Sequence, residues 1–291
     1  MHLVITDSGL GGLGICAAVE RAFRLSGRGD VRLTYFNAWP EEDRGYNSLP
    51  DEATRLAFFD RALDRMSEER PDRIVIACNT LSVLFGLTRF ARTSAIPVLG
   101  IIDAGVSLFH EALSADPASS IALFGTRITM ESGAHRDRLV QLGIAPGRIV
   151  SVPSHGLAAA IEKGTGSAEV QRLIEECASR AAELLPSAGP VLAGLCCTHY
   201  AYVADRIRAS LERAIGRAAR VLDPNGALVR LVAAQAPAID SHATSATIAV
   251  EVISKVTLDE CTRTGIGQLL DPASPATARA LMSYTHVPDL F

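Results

Sequence analysis

Val191-Leu192-Ala193-Gly194-Leu195-Cys196-Cys197-Thr198-His199-Tyr200 is an apolar run that ends in cysteine, threonine and histidine. Its first half has the length and composition of a buried strand. An echo lies upstream, in Ile74-Val75-Ile76-Ala77-Cys78-Asn79-Thr80. An apolar strand that delivers a cysteine and then a threonine therefore occurs twice in one chain. This repetition predicts two strand ends that each present a thiol to a single shared pocket.

Outward from these stretches, strands and helices alternate. Leu3 to Thr6 reads as a buried strand, Asp7-Ser8-Gly9-Leu10-Gly11-Gly12-Leu13-Gly14 as a glycine-rich turn, and Leu13 to Leu25 as a helix with Ile15, Val19, Ala22 and Phe23 on one face. Further strands are predicted at Val31–Phe36, Ile74–Ala77, Val98–Ile102, Ile121–Phe124, Ile149–Val152, into Cys197, from Val221, and at Thr247–Val256. Helices are expected after Asp51, from Asn79 to about Arg92, over Ala104–Ser114, from Thr129 through about Leu142, and along the stripes Val170–Leu184 and Val203–Ile215. This alternation is the signature of open, mainly parallel α/β sheets covered by helices. A strand, a Gly/Thr turn and a helix begin each half, so the fold class is two similar α/β domains. After Gly265 the signals fade.

Composition narrows the function. The chain has 291 residues, 48% of them hydrophobic, and a net charge of −4. That balance gives no electrostatic case for nucleic acid or an anionic membrane. Six cysteines spread over this length do not make a secreted disulfide framework. The start lacks a signal peptide's basic and apolar regions, and no apolar segment approaches the roughly 18 residues of a membrane span. The expected setting is the cytoplasm, with free thiols.

Ligands of open α/β sheets collect at the carboxyl ends of the strands. Asp7-Ser8, Cys78-Asn79-Thr80, Thr126 with Thr129, and Cys197-Thr198-His199 all fall there. Helix N–H groups with Asn and Thr side chains suit a carboxylate ligand, and a helix N-terminus is expected to lower a thiol's pKa. A thiol and a thiolate on opposite sides of one carbon can remove a proton and return one to the other face, inverting a stereocentre without a cofactor. Asp7 is available to assist Cys78, and His199 to assist Cys197.

These residues resemble the glutamate racemases of the aspartate/glutamate racemase superfamily. The matching pieces are Asp7-Ser8-Gly9-Leu10-Gly11-Gly12, Tyr35-Phe36, Ala77-Cys78-Asn79-Thr80, Pro97-Val98-Leu99-Gly100-Ile101, Gly125-Thr126 with Thr129 and Ser132-Gly133-Ala134, and Cys197-Thr198-His199-Tyr200. The resemblance implies two pseudo-two-fold-related domains with the active site in the cleft between them. Residues 1–98 with 212–291 would carry Asp7 and Cys78, and residues 99–211 would carry Thr126 and Cys197. It implies an amino-acid racemase with Cys78, Cys197, Asp7 and His199 in catalysis. Ser8, Tyr46, Asn79, Thr80, Thr126, Thr129 and Thr198 would hold the amino acid. No metal or other cofactor is implied, the partner is a small amino acid, a homodimer is left open, and the implied role is D-glutamate supply for peptidoglycan. The chain departs from the family pattern in the loop Arg44-Gly45-Tyr46-Asn47, where Arg44 is a second source of an anion contact. It also has Cys196 in place of a glycine, His135 where tyrosine is common, and Ser151-Val152-Pro153 for Ala-Cys-Pro. Glu162 matches a family glutamate.

Plainer readings stand beside these. Cys16, Cys177 and Cys261 read as structural. His110, His135, His155, His242 and His286 read as structural or surface residues, and Thr126 and Thr129 could simply cap a helix. Gly9 to Gly14 satisfies the dinucleotide pattern G-x-G-x-x-G. However, Asp7 would face a pyrophosphate, and the second strand ends in Asn37 rather than an acid. The competing functions are a one-cysteine decarboxylase or isomerase of a dicarboxylate and a silent amino-acid-binding protein.

Overall fold

The computed structural model describes residues 1–236 and 247–291; His242 lies outside them. The chain divides into two compact units, Met1–Gly100 with Leu228–Phe291, and Ile101–Ala227.

The first unit begins with β1 (His2–Asp7), α1 (Leu13–Leu25), β2 (Val31–Asn37), α2 (Glu52–Glu68) and β3 (Arg73–Ile76). Asp51 caps α2, its carboxylate accepting from Thr54 N at 2.7 Å. The single helix expected from Asn79 to Arg92 is two, α3 (Asn79–Phe85) and α4 (Arg89–Thr93). Gly86 ends the first, and the Thr88 hydroxyl restarts the chain by accepting from Ala91 N at 3.1 Å. β4 (Val98–Gly100) is shorter than expected, because α5 (Ile101–Ala115) starts directly after it.

The second unit continues with β5 (Ser120–Gly125), α6 (Arg127–Glu131), α7 (Ala134–Gln141), β6 (Ile149–Pro153), α8 (Leu157–Lys163) and α9 (Ala168–Leu184). The helix expected through Leu142 is broken at Gly133, whose φ of 68° lies in the left-handed region that favours glycine. Then come β7 (Val191–Cys196), a 3-10 turn over Thr198–Val203, α10 (Ala204–Ile215) and β8 (Ala219–Leu222). Helix α11 (Pro224–Ala234) contains the boundary between the units. That boundary lies later than residue 212 because β8 pairs with β7 and extends the second sheet. The first unit is completed by β9 (Ile248–Ser254), α12 (Glu260–Leu270), α13 (Pro275–Met282) and β10 (Thr285–His286). The last two helices and β10 lie where the sequence pattern fades.

Both sheets are parallel throughout: β10-β9-β2-β1-β3-β4 in the first unit and β6-β5-β7-β8 in the second. Their central strands are buried on both faces, which is why they read as continuous apolar runs rather than alternating ones. One face of the first sheet packs Val4, Phe36, Ile74 and Ile76 against Phe59, Leu63 and Met66 of α2. In the second, Ala193, Leu195 and Cys197 face Val170, Ile174 and Ile207. Among the described residues no helix is long and apolar enough to cross a membrane.

Candidate active site

Two clusters of polar side chains form at strand carboxyl ends, one in each unit. In the first, the chain leaves β1 at Asp7-Ser8 and leaves β3 into Cys78. These strands are hydrogen-bonded neighbours, so their ends are adjacent. Ser8 Oγ is 3.1 Å from Cys78 Sγ, and the same sulfur caps α3 by accepting from Leu81 N at 3.4 Å. Burial, and after it the negative charge of Asp7, pushes the Cys78 thiol far above its ordinary range; Ser8 and the Leu81 N–H oppose this. The lowered pKa expected from the helix N-terminus is therefore reversed, because desolvation and a neighbouring carboxylate outweigh one N–H group. Ser8, expected only as a substrate ligand, is the direct hydrogen-bond partner of the thiol.

Asn79 and Thr80 are buried beside Cys78. Neither the amide nitrogen nor the amide oxygen of Asn79 has a hydrogen-bond partner among the described residues. Tyr46 stands edge-on to Phe59, its ring centroid 6.4 Å away, and its buried hydroxyl is also without a partner. Burial, then proximity to Cys78, pushes the phenol up. Leaving buried donors and acceptors unmade is costly, and the described protein groups do not satisfy Asn79 or the Tyr46 hydroxyl. Arg44 is differently placed: it pairs with Glu41 at 2.8 Å and is largely exposed. The loop is held by Trp39, whose ring would be 2.7 Å from a Cβ at Gly45.

Gly12 explains part of the glycine-rich turn. A Cβ there would lie 2.8 Å from Asp7 Oδ2 and 3.0 Å from Ala77 Cβ. The glycine makes room for the Asp7 carboxylate, a purpose opposite to cradling a phosphate.

In the second unit, Cys197 Sγ is 3.6 Å from His199 Nδ1, and His199 Nε2 is 2.6 Å from Glu162 Oε1. Burial alone would favour the neutral ring. The Glu162 charge and the bonds to Cys197 and Glu162 outweigh it and hold the imidazole well above its usual range. A ring protonated on both nitrogens can donate to Glu162 on one side and to the sulfur on the other. Glu162, on α8, is the partner of His199 that motif reading left out of the catalytic group. Its one sequence signal is the match to a family glutamate.

Thr126 and Thr129 sit together at the start of α6, Oγ to Oγ 3.0 Å, and Thr126 caps the helix by accepting from Thr129 N. Thr198 is buried next to Cys197. Cys196 ends β7 and Cys197 continues the extended backbone one residue beyond it, so the two side chains alternate in direction. Cys197 joins the cluster around Tyr200 and Val203, and Cys196 lies against Gly125. Of the cysteines read as structural, Cys16 and Cys177 are buried, and burial pushes the Cys16 thiol up to about 12. Cys261 is exposed, because it falls on the solvent side of α12.

The family model for "Asp/Glu/Hydantoin racemase" matches residues 9–232. Glutamate racemase from Granulibacter bethesdensis is 30% identical over 240 residues, 80% of this chain and 77% of the relative. Glutamate racemase from Aquifex aeolicus is 29% identical over 143 residues, and there the chain spans about half the relative's length, 52%. Among solved structures, glutamate racemase from Francisella tularensis in complex with D-glutamate superposes with a TM-score of 0.67 at 19% identity. That match covers 98% of this chain and 94% of the other.

Proposed function

The chain belongs to the Asp/Glu/Hydantoin racemase family, and on that premise we propose that it interconverts L- and D-glutamate, or a closely related acidic amino acid, without a cofactor. The observation that carries the reading is the doubling of one arrangement. A buried thiol follows a strand end in each unit, with a proton-handling neighbour: Ser8 and Asp7 for Cys78, His199 and Glu162 for Cys197. One reactive thiol would suffice for a decarboxylation or a one-sided isomerisation; a direct proton transfer from one face of a carbon to the other uses two.

In the forward direction the thiolate of one cysteine takes the α-proton and becomes a thiol. The electron pair passes into the carboxyl group as an enolate, and the thiol of the other cysteine protonates the opposite face and becomes a thiolate. The reverse reaction exchanges the roles. His199 can supply or hold a proton at Cys197 Sγ. The buried Cys78 surroundings favour the neutral thiol, and a bound substrate ammonium would offset the Asp7 charge and ease its ionisation. Asn79, Thr80, Thr126, Thr129, Thr198, Ser8 and the Tyr46 hydroxyl are the groups we assign to the ammonium and carboxylates. Glutamate is the favoured substrate because the curated relatives are glutamate racemases and the Francisella enzyme binds D-glutamate. D-Glutamate for peptidoglycan is then the role.

The test is incubation with L-glutamate, L-aspartate and other amino acids in deuterated water. Racemisation with deuterium at Cα is expected, and Cys78→Ser and Cys197→Ser each abolish it while Cys177→Ser does not. Exchange without inversion, or carbon dioxide release, would replace this reading with a one-cysteine reaction. Ligand binding without exchange, followed by the fluorescence of the single tryptophan, Trp39, in the loop with Tyr46, would replace it with a silent binding protein.

A further inference from the structure

The turn that presents Cys197 is tied to the neighbouring strand's loop. Strands β7 and β8 pair in parallel, so the segments leaving them emerge side by side. Asp223 closes a tight turn at the end of β8, its Oδ1 accepting from Asn225 N at 3.0 Å. The Asp223 carboxyl is half-buried, and that burial raises its pKa while the Asn225 N–H opposes the shift. The turn aims the Asn225 side chain back at β7, where Nδ2 donates to the Thr198 carbonyl at 3.3 Å. Thr198 is the residue after Cys197 and the first of the 3-10 turn, which Tyr200 N closes on the Cys197 carbonyl at 3.1 Å. Cys197 itself is extended, with φ −154° and ψ 133°. The chain thus changes from strand to turn at the sulfur-bearing residue, and the Thr198–His199 peptide one residue further on is gripped from outside its own segment.

We propose that Asn225 is a positioning residue for Cys197: by holding the Thr198 carbonyl it fixes the Thr198–His199 peptide, and with it the 3-10 turn that presents the sulfur to the substrate's α-carbon. Asn225 does not touch the reacting atoms. Its effect is confined to the Cys197 side of the reaction, since its hydrogen bonds run to Asp223 and Thr198 and, among the described residues, none reaches the Cys78 cluster. The inference rests on Cys197 being one of the two proton-transfer groups.

That confinement supplies the test. Asn225→Ala removes the donor, and Asn225→Asp keeps the size and the turn while placing an acceptor against a carbonyl. Each is expected to lower kcat about five- to tenfold, the worth of one such hydrogen bond. The distinguishing readout is the primary deuterium isotope effect on kcat, measured with each α-deuterated enantiomer. The enantiomer served by Cys197 is the one whose α-proton the Cys78→Ser variant still exchanges with solvent. With that enantiomer the isotope effect rises in both Asn225 variants, because abstraction by a misplaced sulfur becomes more rate-limiting. With the opposite enantiomer it falls, because the slow step has moved to reprotonation. Isotope effects are ratios per active molecule, so partial unfolding does not imitate the pattern. Equal changes in both directions, or unchanged turnover in Asn225→Asp, would overturn the assignment while leaving the two-thiol reading in place. Full turnover in Cys197→Ser would overturn both.

Discussion

Glu162 Oε1 lies 2.6 Å from His199 Nε2, on the side of the ring opposite to Cys197. The pair keeps the imidazole charged where an isolated buried histidine would be neutral. A folded pKa above the unfolded 6.5 means that the pair's contribution to stability is fully present below about pH 6.5 and is lost as pH rises through the folded value. Glu162→Gln removes the carboxylate and leaves burial as the dominant influence. In NMR titrations the His199 pKa should then move below 6.5. Turnover should fall, and stability near neutral pH should drop by about 1–3 kcal/mol. A His199 titration unchanged by the substitution would show that the carboxylate does not set its charge.

Gly12 is where a methyl group meets chemistry. In Gly12→Ala the new Cβ crowds Asp7 Oδ2 and Asp7 Cβ, at 2.8 and 2.9 Å. Either the carboxylate moves away from Cys78 or the turn shifts. We expect a destabilisation of about 1–3 kcal/mol and a loss of turnover of roughly tenfold or more. Gly147→Ala, with nothing within 4 Å of the added carbon, is the control and should behave as the parent.

Asn79 is held with both amide atoms unpartnered among the described residues, which costs folding free energy. Asn79→Ala relieves that cost, so its melting temperature should equal or exceed the parent's while KM for glutamate rises tenfold or more. A large loss of thermal stability instead would assign Asn79 to the architecture of α3 rather than to the ligand.

His135 provides an acid-sensitive element away from the thiols. Both ring nitrogens are buried and without partners among the described residues, the ring lies 6.0 Å from Phe109, and burial, then Arg138, lowers its pKa to about 4. The folded form binds its proton less readily than the unfolded chain, so stability is full above pH 6.5 and declines as pH falls toward 4, by about 3 kcal/mol in all. His135→Phe keeps an aromatic ring beside Phe109 and removes the titration. Its stability should be flatter between pH 6.5 and 4 in urea melts, with little change at pH 8.

Much of this was visible in local pattern. Cys78 and Cys197 follow apolar runs that could only be buried strands, and the residues after them start helices or turns. Asp51, Thr88 and Thr126 cap because their oxygens are spaced three residues from an open N–H. Two helices stop where side-chain periodicity would continue them: at Gly133 the left-handed φ of 68° breaks the run, and beyond Gly86 the Thr88 cap starts a new helix instead. The end of the first unit, α12, α13 and β10, was faint because short elements carry too few periods to stand out.

The sequence by itself determined the strand order of events: which residues reach strand ends, which side chains are available there, and that sulfur appears twice. Tertiary structure decided what those groups experience. Glu162 meets His199 from 37 residues away, Asn225 reaches Thr198 from the next strand's loop, and burial beside Asp7 drives Cys78 toward the protonated form that its place at a helix start would have opposed. The physical reason is range. Backbone conformation follows from neighbours along the chain, whereas desolvation and charge act through space and are set by residues that sequence order keeps apart.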